Sequence, residues 1–275
     1  MFSFLSDFFL KNGMDTIAPI PLSACIIRKK YLLERAGIAD GTVFCVLIPY
    51  YTEPAEAPLR NLSAYAVSAD YHLFWKQLSD RLLPLLSEKF PENRFAAFAD
   101  HSPIDEIDAA AKAGLGVIGK NHLLLTEKYS SFVFLGEVIT DAFLPCRAVE
   151  IGTCSGCGAC QRACPAEKEH TLCLSALTQK KGPLTAEETA LLRRHPLVWG
   201  CDICQEVCPY TKRAKAEGTI HSPIPFFRET AMPVLTLEGL DEMDDTAFSS
   251  RAFSWRGRET IRRNLLLHGK GDVSC

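Results

Sequence analysis

The chain has 275 residues, of which 47% are hydrophobic and 23% are charged, and its formal net charge is −3. This composition is typical of a globular protein with a buried core, and it excludes the strong overall positive charge of many nucleic-acid-binding proteins. No apolar run reaches the roughly 18 residues that a membrane-spanning helix needs, so no membrane association is expected.

The first ten residues are apolar, but they lack a basic start, and Asp7 interrupts the apolar run. We interpret them as the first helix of the fold rather than as a signal peptide. The chain also contains 12 cysteines. In a protein without a signal peptide, clustered cysteines favour metal binding in a reducing compartment over disulfide formation, so the predicted location is the cytoplasm.

The first 145 residues predict a mixture of strands and helices. Apolar, β-prone runs predict strands at residues 42–48, 94–99, 122–125 and 132–139. Apolar residues at helical spacing predict helices at residues 69–89, with a kink at Pro84, and at residues 103–113. Residues 1–145 are therefore predicted to form an α+β domain.

Two further segments follow this domain. Residues 146–215 carry the cysteine motifs and a helical insert at 185–194, and residues 216–275 form a linker and a C-terminal helical tail. In the tail, an acidic stretch at 238–245 precedes five arginines: Arg251, Arg256, Arg258, Arg262 and Arg263. These arginines either contact nucleic-acid phosphates or form a solvated helix face that neutralises the acidic stretch.

The first cysteine motif has the full spacing of bacterial ferredoxins. It reads Cys154-x2-Cys157-x2-Cys160-x3-Cys164-Pro165. In this spacing three thiolates wrap one 4Fe–4S cluster, and the fourth, before the proline, ligates the other cluster. A zinc site can also use paired cysteines, but four cysteines followed by a proline in this spacing favour iron–sulfur clusters.

The second motif, Cys201-x2-Cys204-x3-Cys208-Pro209, repeats the end of the first. When the two are aligned on their Cys-Pro ends, Val198 stands where a fourth ligand is needed. Cys173 is the only other cysteine between the motifs and is predicted to supply it. The predicted ligands are Cys154, Cys157, Cys160 and Cys208 for one cluster, and Cys164, Cys173, Cys201 and Cys204 for the other. No function is predicted for Cys25, Cys45, Cys146 and Cys275.

A glycine motif, Gly114–Gly119, matches the GxGxxG pattern and is followed by Lys120. A dinucleotide site requires a strand before these glycines and a helix after them. Here the predicted order is reversed. The glycines are therefore predicted to end a helix and to form a tight loop against a bulky flat group. Lys120 is either solvated or adjacent to an anionic group.

Several blocks of the chain, taken together, resemble the epoxyqueuosine reductases, which are cobalamin-dependent enzymes with two 4Fe–4S clusters. The blocks that agree in order and spacing are Asp100-His-Ser-Pro103, Ala113-Gly-Leu-Gly-Val-Ile-Gly-Lys-Asn121, Ser131-Phe-Val-Phe-Leu-Gly-Glu137 and the cysteine array with Cys173 between its motifs. Ile48-Pro-Tyr-Tyr51 and Asp70-Tyr-His72 also match family positions, and the resemblance covers about residues 40 to 265.

The resemblance implies a cobalamin-binding domain of nitroreductase-like α+β fold, followed by a bacterial-ferredoxin-like two-cluster module and a short helical tail. It implies that Asp100 donates a proton to the substrate. The residues it implies as cobalamin contacts are Tyr50, Asp70, His72, Gly114, Gly116, Lys120, Asn121 and Ser131. In full-length members a C-terminal helical-repeat domain holds tRNA, and this chain is expected to be a short member without those repeats.

The favoured function is a cobalamin-dependent reductase that removes the epoxide oxygen of epoxyqueuosine in tRNA. An external one-electron reductant of the flavodoxin or ferredoxin type would pass electrons through the two clusters to cobalt. One alternative is a reductase of another small molecule, with an activity like that of reductive dehalogenases. A second alternative is a non-enzymatic two-cluster electron carrier, which the 145 residues before the cysteine motifs disfavour because a carrier does not need them.

Overall fold

The computed structural model describes residues 1–166 and 173–268. Its main sheet has four antiparallel strands in the order β1-β2-β6-β3. A separate pair of short antiparallel strands, β4 and β5, lies outside this sheet. The strands are β1 (Ile17–Pro21), β2 (Thr42–Pro49), β3 (Phe95–Phe98), β4 (Val117–Ile118), β5 (Leu124–Leu125) and β6 (Val133–Thr140).

Strand β2 is buried along its whole length, as its unbroken apolar run predicts. The predicted strands at 94–99 and 132–139 correspond to β3 and β6, and the predicted strand at 122–125 contains β5. Strand β1 was not predicted, since its sequence contains Pro19 and Pro21. It lies at an edge of the sheet, where a missing backbone N–H is tolerated.

The helices of the first half pack around this sheet. They are α1 (Phe2–Lys11), α2 (Lys30–Ala36), α3 (Ala64–Val67), α4 (Tyr71–Lys89) and α5 (Glu106–Lys112). Helix α1 confirms the predicted first helix. Helix α4 confirms the prediction at 69–89 and continues through Pro84. Helix α5 begins three residues later than predicted, because Asp105 caps its first turn by accepting a hydrogen bond from the Asp108 amide (3.1 Å).

The second half is built from short helices around the cysteine motifs and along the tail. They are α6 (Ala159–Ala163), α7 (Leu174–Gln179), α8 (Ala186–Arg194), α9 (Ile203–Glu206), α10 (Pro209–Ala216), α11 (Pro225–Glu229), α12 (Leu237–Glu242), α13 (Asp245–Ser249) and α14 (Arg258–His268). Helix α8 confirms the predicted insert and starts with a reciprocal capping box between Thr185 and Glu188. Across the described ranges 1–166 and 173–268, no helix has both the length and the apolar composition needed to cross a bilayer.

One large core joins all three segments that the sequence predicts. Phe9 of α1, Phe44 of β2, Trp199 before α9, Phe227 of α11 and Phe253 after α13 are fully buried within it. The tail therefore packs into the same core as the sheet. The division into residues 1–145, 146–215 and 216–275 stays a prediction.

The arginines of the tail make contacts within the protein. Arg251 is 7% exposed and donates to the carbonyl groups of Val67 (2.6 Å) and Thr230 (2.8 Å). Arg263 donates to the carbonyl groups before α8, and Arg262 pairs with Asp241 of the acidic stretch. These contacts favour the structural interpretation of the tail, in which its positive charges join helices and offset the acidic stretch.

Replacing Arg251 with methionine tests this structural role. The change keeps the long apolar stem but leaves the buried carbonyl groups of Val67 and Thr230 without their donor. We expect the free energy of unfolding to fall by about 2–3 kcal/mol, because charged hydrogen bonds are lost and buried acceptors are left unpaired. Urea denaturation followed by tryptophan fluorescence measures this change.

The exposed Arg193 on α8 provides the control. Arg193→Met should change the free energy of unfolding by less than about 0.5 kcal/mol, as is usual for surface substitutions. If the two variants lose the same stability, Arg251 does not join the tail to the core in the way described.

Candidate redox site

Four cysteines line one partly open pocket of about 340 Å³. They are Cys154, Cys157, Cys160 and Cys208, the set that the sequence assigns to one cluster. The first three come from the loop before α6 and from its first turn, and Cys208 caps the N-terminus of α10. Three cysteines that are close together in sequence thus meet a fourth that is distant in sequence, as the ferredoxin spacing predicts.

Two glycines allow the backbone to turn around this pocket. Gly156 and Gly158 have φ values of +69° and +72°, in the left-handed region that favours glycine. The amide groups of Gly156 and Lys120 donate to the Cys154 sulfur and lower the pKa of its thiol. The segment therefore presents hydrogen-bond donors to a thiolate, an arrangement that suits an iron–sulfur ligand.

Strand β4 fixes the position of the cysteine loop. Ile118 pairs with Thr153 in a parallel bridge, and the Cys154 amide donates to the Ile118 carbonyl (3.3 Å). This pairing places Lys120 and Asn121, which follow β4, on the wall of the cysteine pocket. Both were predicted as cobalamin contacts, and the structure brings them to the first group of cysteines.

The other four predicted ligands also lie together. Cys164 follows α6, Cys173 caps α7, and Cys201 and Cys204 flank the start of α9. Cys204 lies within the electrostatic reach of Cys173, Cys164 and Cys160, and Cys201 within that of Cys204 and Cys173. Residues 167–172, between Cys164 and Cys173, lie outside the described ranges.

Burial sets the chemistry of this second group. It raises the pKa of Cys201 to about 12 and the pKa of Cys204 to about 11. Neutral pH alone would leave these thiols protonated, and a bound metal would supply the positive charge that makes them thiolates. Within residues 1–166 and 173–268, no group of three or more His, Cys, Asp or Glu side chains is arranged to hold a single metal ion, so the binding of iron clusters by the two groups of cysteines stays a prediction. Of the cysteines without a predicted function, Cys45 is buried in β2, and Cys275 lies outside the described residues.

A buried ion pair attaches helix α9 to the first half of the chain. Asp202 is 2% exposed and accepts from the Arg60 guanidinium (2.7 Å) and from the Ala64 amide (2.9 Å). Gln205 in the same helix accepts a hydrogen bond from the Ser131 hydroxyl (3.0 Å). The helix that carries Cys204 is thereby held against the sheet.

Tyr50 also reaches Gln205, and it begins a row of aromatic rings. Its hydroxyl lies 3.5 Å from the Gln205 side-chain oxygen, and its ring centroid lies 4.3 Å from that of Phe134. Phe134 stacks on Tyr71 at 3.9 Å with parallel rings, and Tyr71 adjoins His72 at 4.2 Å. The rings of Phe134 and Tyr71 are only half-buried. They offer an apolar flat surface between Gln205 and His72.

A carboxylate–histidine group lies at the far end of these rings. The Asp70 carboxylate caps α4 and accepts from the amide (3.0 Å) and the Nδ1 (2.7 Å) of His72. The His72 Nε2 lies 3.7 Å from a carboxylate oxygen of Asp100. The hydrogen bond that His72 donates to Asp70 raises the pKa of His72, although partial burial opposes this effect. Three residues predicted for the site, Asp70, His72 and Asp100, thus come together.

Asp100 lies in an exposed loop. Its side chain is 76% exposed, so the protein alone does not bury it. Asp105, rather than Asp100 or Ser102, caps the helix that follows. Asp100 has a φ of +60° in the loop between β3 and α5.

The glycines of the GxGxxG motif have structural roles. Gly114 follows α5 with a φ of +81°, which confirms the predicted left-handed end of a helix. A Cβ atom on Gly116 would lie 2.6 Å from the Leu125 carbonyl oxygen, so the close approach of β4 and β5 requires glycine there. Neither glycine needs a cofactor to explain it.

The predicted cobalamin contacts therefore fall into separate places. Tyr50 and Ser131 meet Gln205, Asp70 and His72 adjoin Asp100, and the remaining four belong to the loop around β4. The aromatic row between the first two places fits a flat macrocycle. Gln205 was not predicted from the sequence. Its position directly after Cys204 was the only sequence feature that could have identified it.

Comparisons with known proteins add the following findings. No family model matches the chain. The epoxyqueuosine reductase of Gloeobacter violaceus is 32% identical over 232 residues, which cover 81% of this chain and 71% of that protein. The epoxyqueuosine reductase of Listeria monocytogenes is 30% identical over 260 residues, which cover 88% of this chain and 67% of that protein.

Solved structures of such proteins share the fold. The epoxyqueuosine reductase from Streptococcus thermophilus matches with a TM-score of 0.78 at 23% identity, covering 98% of this chain and 80% of that one. An epoxyqueuosine reductase with an epoxyqueuosine-modified tRNA-Tyr stem loop matches with a TM-score of 0.74 at 24% identity (97% and 80%). One from Bacillus subtilis, whose catalytic aspartate loop is swung out of the active site, matches with a TM-score of 0.72 at 24% identity (97% and 81%).

The pairing of Asp70 with His72 leads to a prediction about proton affinity. Asp70→Asn removes the negative charge beside Nδ1 while the partial burial of the ring remains. We expect the pKa of His72 to fall below its raised parent value, because the Asp70 carboxylate no longer opposes the lowering effect of burial. An NMR titration of labelled histidines measures this pKa, with the resonance assigned from a His72→Gln sample.

Asp7→Asn, at an exposed aspartate of α1, is the control and should leave the His72 titration unchanged. A pKa of His72 that stays at the parent value in Asp70→Asn would show that Asp70 does not control the charge of the imidazole.

Proposed function

Because this chain belongs to the epoxyqueuosine reductase family, we propose that it reduces epoxyqueuosine in tRNA to queuosine. The reaction breaks both carbon–oxygen bonds of the epoxide and forms a carbon–carbon double bond. Two electrons and two protons enter, and one molecule of water leaves. The site must therefore deliver electrons and protons to the same atoms.

This proposal rests on one observation. The residues proposed to supply electrons and the residues proposed to supply protons lie at opposite ends of one row of aromatic rings. At one end, Gln205 connects the row to the helix of Cys204. At the other end, Asp70, His72 and Asp100 form a group that can hold and release protons. Electrons and protons can thus approach the half-exposed rings of Phe134 and Tyr71 from different sides.

The eight cysteines are proposed to hold two 4Fe–4S clusters in the predicted sets. Cys157 in the first set is exposed, whereas all four cysteines of the second set are partly buried. This difference supports entry of electrons at the first cluster from an external carrier of the flavodoxin or ferredoxin type, and passage through the second. Lys120, on the wall of the first pocket, would offset the negative charge of a cluster.

Cobalamin is proposed to bind against the aromatic row. Bound there, it would supply the strongly reducing metal centre that the chemistry of the substrate requires. Phe134 and Tyr71 would hold its flat face, with Tyr50 and Ser131 at one side and Asp70 and His72 at the other. Lys120 and Asn121 are better placed for the first cluster than for the corrin.

Proton delivery is assigned to His72 and Asp100. His72, with its raised pKa, can carry a proton near neutral pH, and its Nε2 lies beside the Asp100 carboxylate. Asp100 is exposed at the tip of its loop, where it can reach a substrate. The relative whose catalytic aspartate loop is swung out of the active site supports a loop that moves. In this proposal Asp100 protonates the substrate oxygen, and His72 restores the proton.

The substrate class is supported by the relative that was solved with a modified tRNA stem loop. In this chain a basic run, Arg28, Lys29 and Lys30, adjoins the Asp100 loop, since the amide groups of Arg28 and Lys29 donate to the Pro103 carbonyl (2.7 and 3.0 Å). Arg28 and Lys30 are exposed, and Lys29 is partly exposed. They are better placed than the tail arginines to contact phosphates near the reacting base.

Cluster content gives the first test. Anaerobically reconstituted protein should contain about eight irons and eight acid-labile sulfides per chain, because two cubanes hold that number. Cys154→Ser and Cys204→Ser should each lower the iron content toward about four, since each disturbs a different cluster. The partly exposed Cys146 is the control, and Cys146→Ser should keep about eight irons. Stoichiometric zinc, or about four irons in the parent protein, would refute the assignment of ligands.

The second test replaces the proposed acid. Asp100→Asn keeps the shape of the side chain but removes its transferable proton. We expect a loss of turnover on the order of 100-fold or more, with clusters and bound cobalamin retained. Turnover is measured by mass spectrometry of nucleosides released from an epoxyqueuosine-containing tRNA stem loop, and absorption spectra report both cofactors.

Asp7→Asn serves as the matched control and should retain the parent rate. If Asp100→Asn also turns over at the parent rate, the proton comes from another group. If the parent protein binds no cobalamin and shows only iron–sulfur absorption, the chain acts as an electron carrier instead.

A further inference from the structure

We propose that the partly buried Glu106 and the buried Glu137 form a carboxyl pair that positions the Asp100 loop. This inference rests on the proposed role of Asp100 as the proton donor, and it assigns two residues that touch neither substrate nor cofactor. Both are therefore positioning residues. The pair connects the centre of the sheet to the backbone of the loop.

Glu137 lies in the middle of β6, opposite Cys45 of β2 and Phe98 of β3. Its side chain is 1% exposed, and its Oε2 has no hydrogen-bond partner among the described residues. An acidic residue in the centre of a sheet is costly to bury and is rarely found there without a purpose. The fold could place an apolar residue at this position, so the acid calls for an explanation.

Glu106, the first residue of α5, forms the link between Glu137 and the loop. Its Oε1 accepts a hydrogen bond from the Asp100 amide (2.7 Å), and its carboxyl group is hydrogen-bonded to that of Glu137. Two carboxyl groups can share a hydrogen bond only when one of them carries a proton. Burial, together with the neighbouring charge of Glu106, raises the pKa of Glu137 well above its ordinary value. The proton therefore resides on Glu137 and the negative charge on Glu106.

The negatively charged Glu106 carboxylate accepts the hydrogen bond from the Asp100 amide and so stabilises the unusual backbone conformation of Asp100. Asp100 has a φ of +60°, which residues with a side chain seldom adopt unless the surroundings hold them there. A hydrogen bond from its amide to a carboxylate is stronger than one to a neutral acceptor. The buried Ser102 lies beside Glu137 as well, so the pair adjoins the loop at two positions.

The pair also makes the loop sensitive to a rise in pH. In the folded state Glu137 keeps a proton that an unfolded chain releases above a pKa of about 4.5. The stability that this proton provides is fully present below that value and is lost as the pH rises toward the raised pKa of Glu137. The titratable groups that face the pair are Lys29 before α2, Tyr71 and His72 on α4, Asp100 in the loop, Cys45 on β2 and Cys25 beside it.

Hydrogen exchange of the loop tests the proposal without relying on activity. Mass spectrometry of the cofactor-loaded protein gives protection factors, corrected for intrinsic rates, for a peptide that covers residues 99–105. Glu106→Ala removes the acceptor of the Asp100 amide and should lower protection on the order of 10-fold. The exposed Glu217 supplies the control, and Glu217→Gln should leave protection at the parent value.

Glu137→Gln tests whether the shared proton, rather than packing alone, holds the loop. Its amide group can donate to Glu106 at every pH, so the loop should stay protected, and the loss of protection and of kcat that we expect in the parent as the pH rises should be absent. Glu106→Ala should lower kcat while KM changes little, because the loop orders an acid rather than binding the substrate. Unchanged protection in Glu106→Ala, or the same loss with rising pH in Glu137→Gln as in the parent, would overturn the proposal.

The outcomes also distinguish this inference from the proposed function. If Glu106→Ala lowers protection but not kcat, the pair positions the loop and Asp100 is not the acid. If Asp100→Asn abolishes turnover while Glu106→Ala leaves protection and kcat intact, Asp100 is the acid and the pair does not position it.

Discussion

Strand β6 pairs with β2 along its whole length and with β3 over its C-terminal half, and this register decides where the polar and aromatic groups of the site lie. Ser131, just before the strand, meets Gln205. Phe134 presents its ring to Tyr71, and Glu137 reaches toward the Asp100 loop. Because side chains alternate between the two faces of a sheet, a shift of one residue would exchange all of these groups between the faces. Hydrogen bonds of the backbone thus hold helix α9 and the Asp100 loop at a fixed separation.

The parts of the structure that depend on local sequence could be predicted. The apolar runs at β2 and β6 and the helical spacing of α4 and α8 indicate their own secondary structure. The two groups of cysteines also followed from spacing, because a short covalent path limits where successive ligands can go. Strand β1 escaped prediction since its prolines are acceptable only at a sheet edge, and an edge is known only once the sheet is assembled.

The site itself was predictable only in part, because distant residues complete it. Asp70, His72 and Asp100 come together as the resemblance implied, although the exposure of Asp100 did not follow from the sequence. Lys120 and Asn121 were placed at the corrin, but the pairing of β4 with the cysteine loop carries them to the first cysteine pocket. In the tail, Arg251 suggested a contact with phosphate, whereas backbone carbonyl groups from distant helices take up its donors.

The proposed interleaved ligation also bears on how the protein would mature. Cys208 completes a set that otherwise lies at residues 154–160, and Cys164 belongs with Cys201 and Cys204. During synthesis neither set is complete until the chain has passed its second motif, so in this assignment iron insertion would follow translation of both motifs. Once in place, each proposed cluster would close a long loop and restrict the unfolded chain as a covalent cross-link does. Oxidative loss of one cluster would then weaken the anchorage of the other, and damage by oxygen would be cooperative.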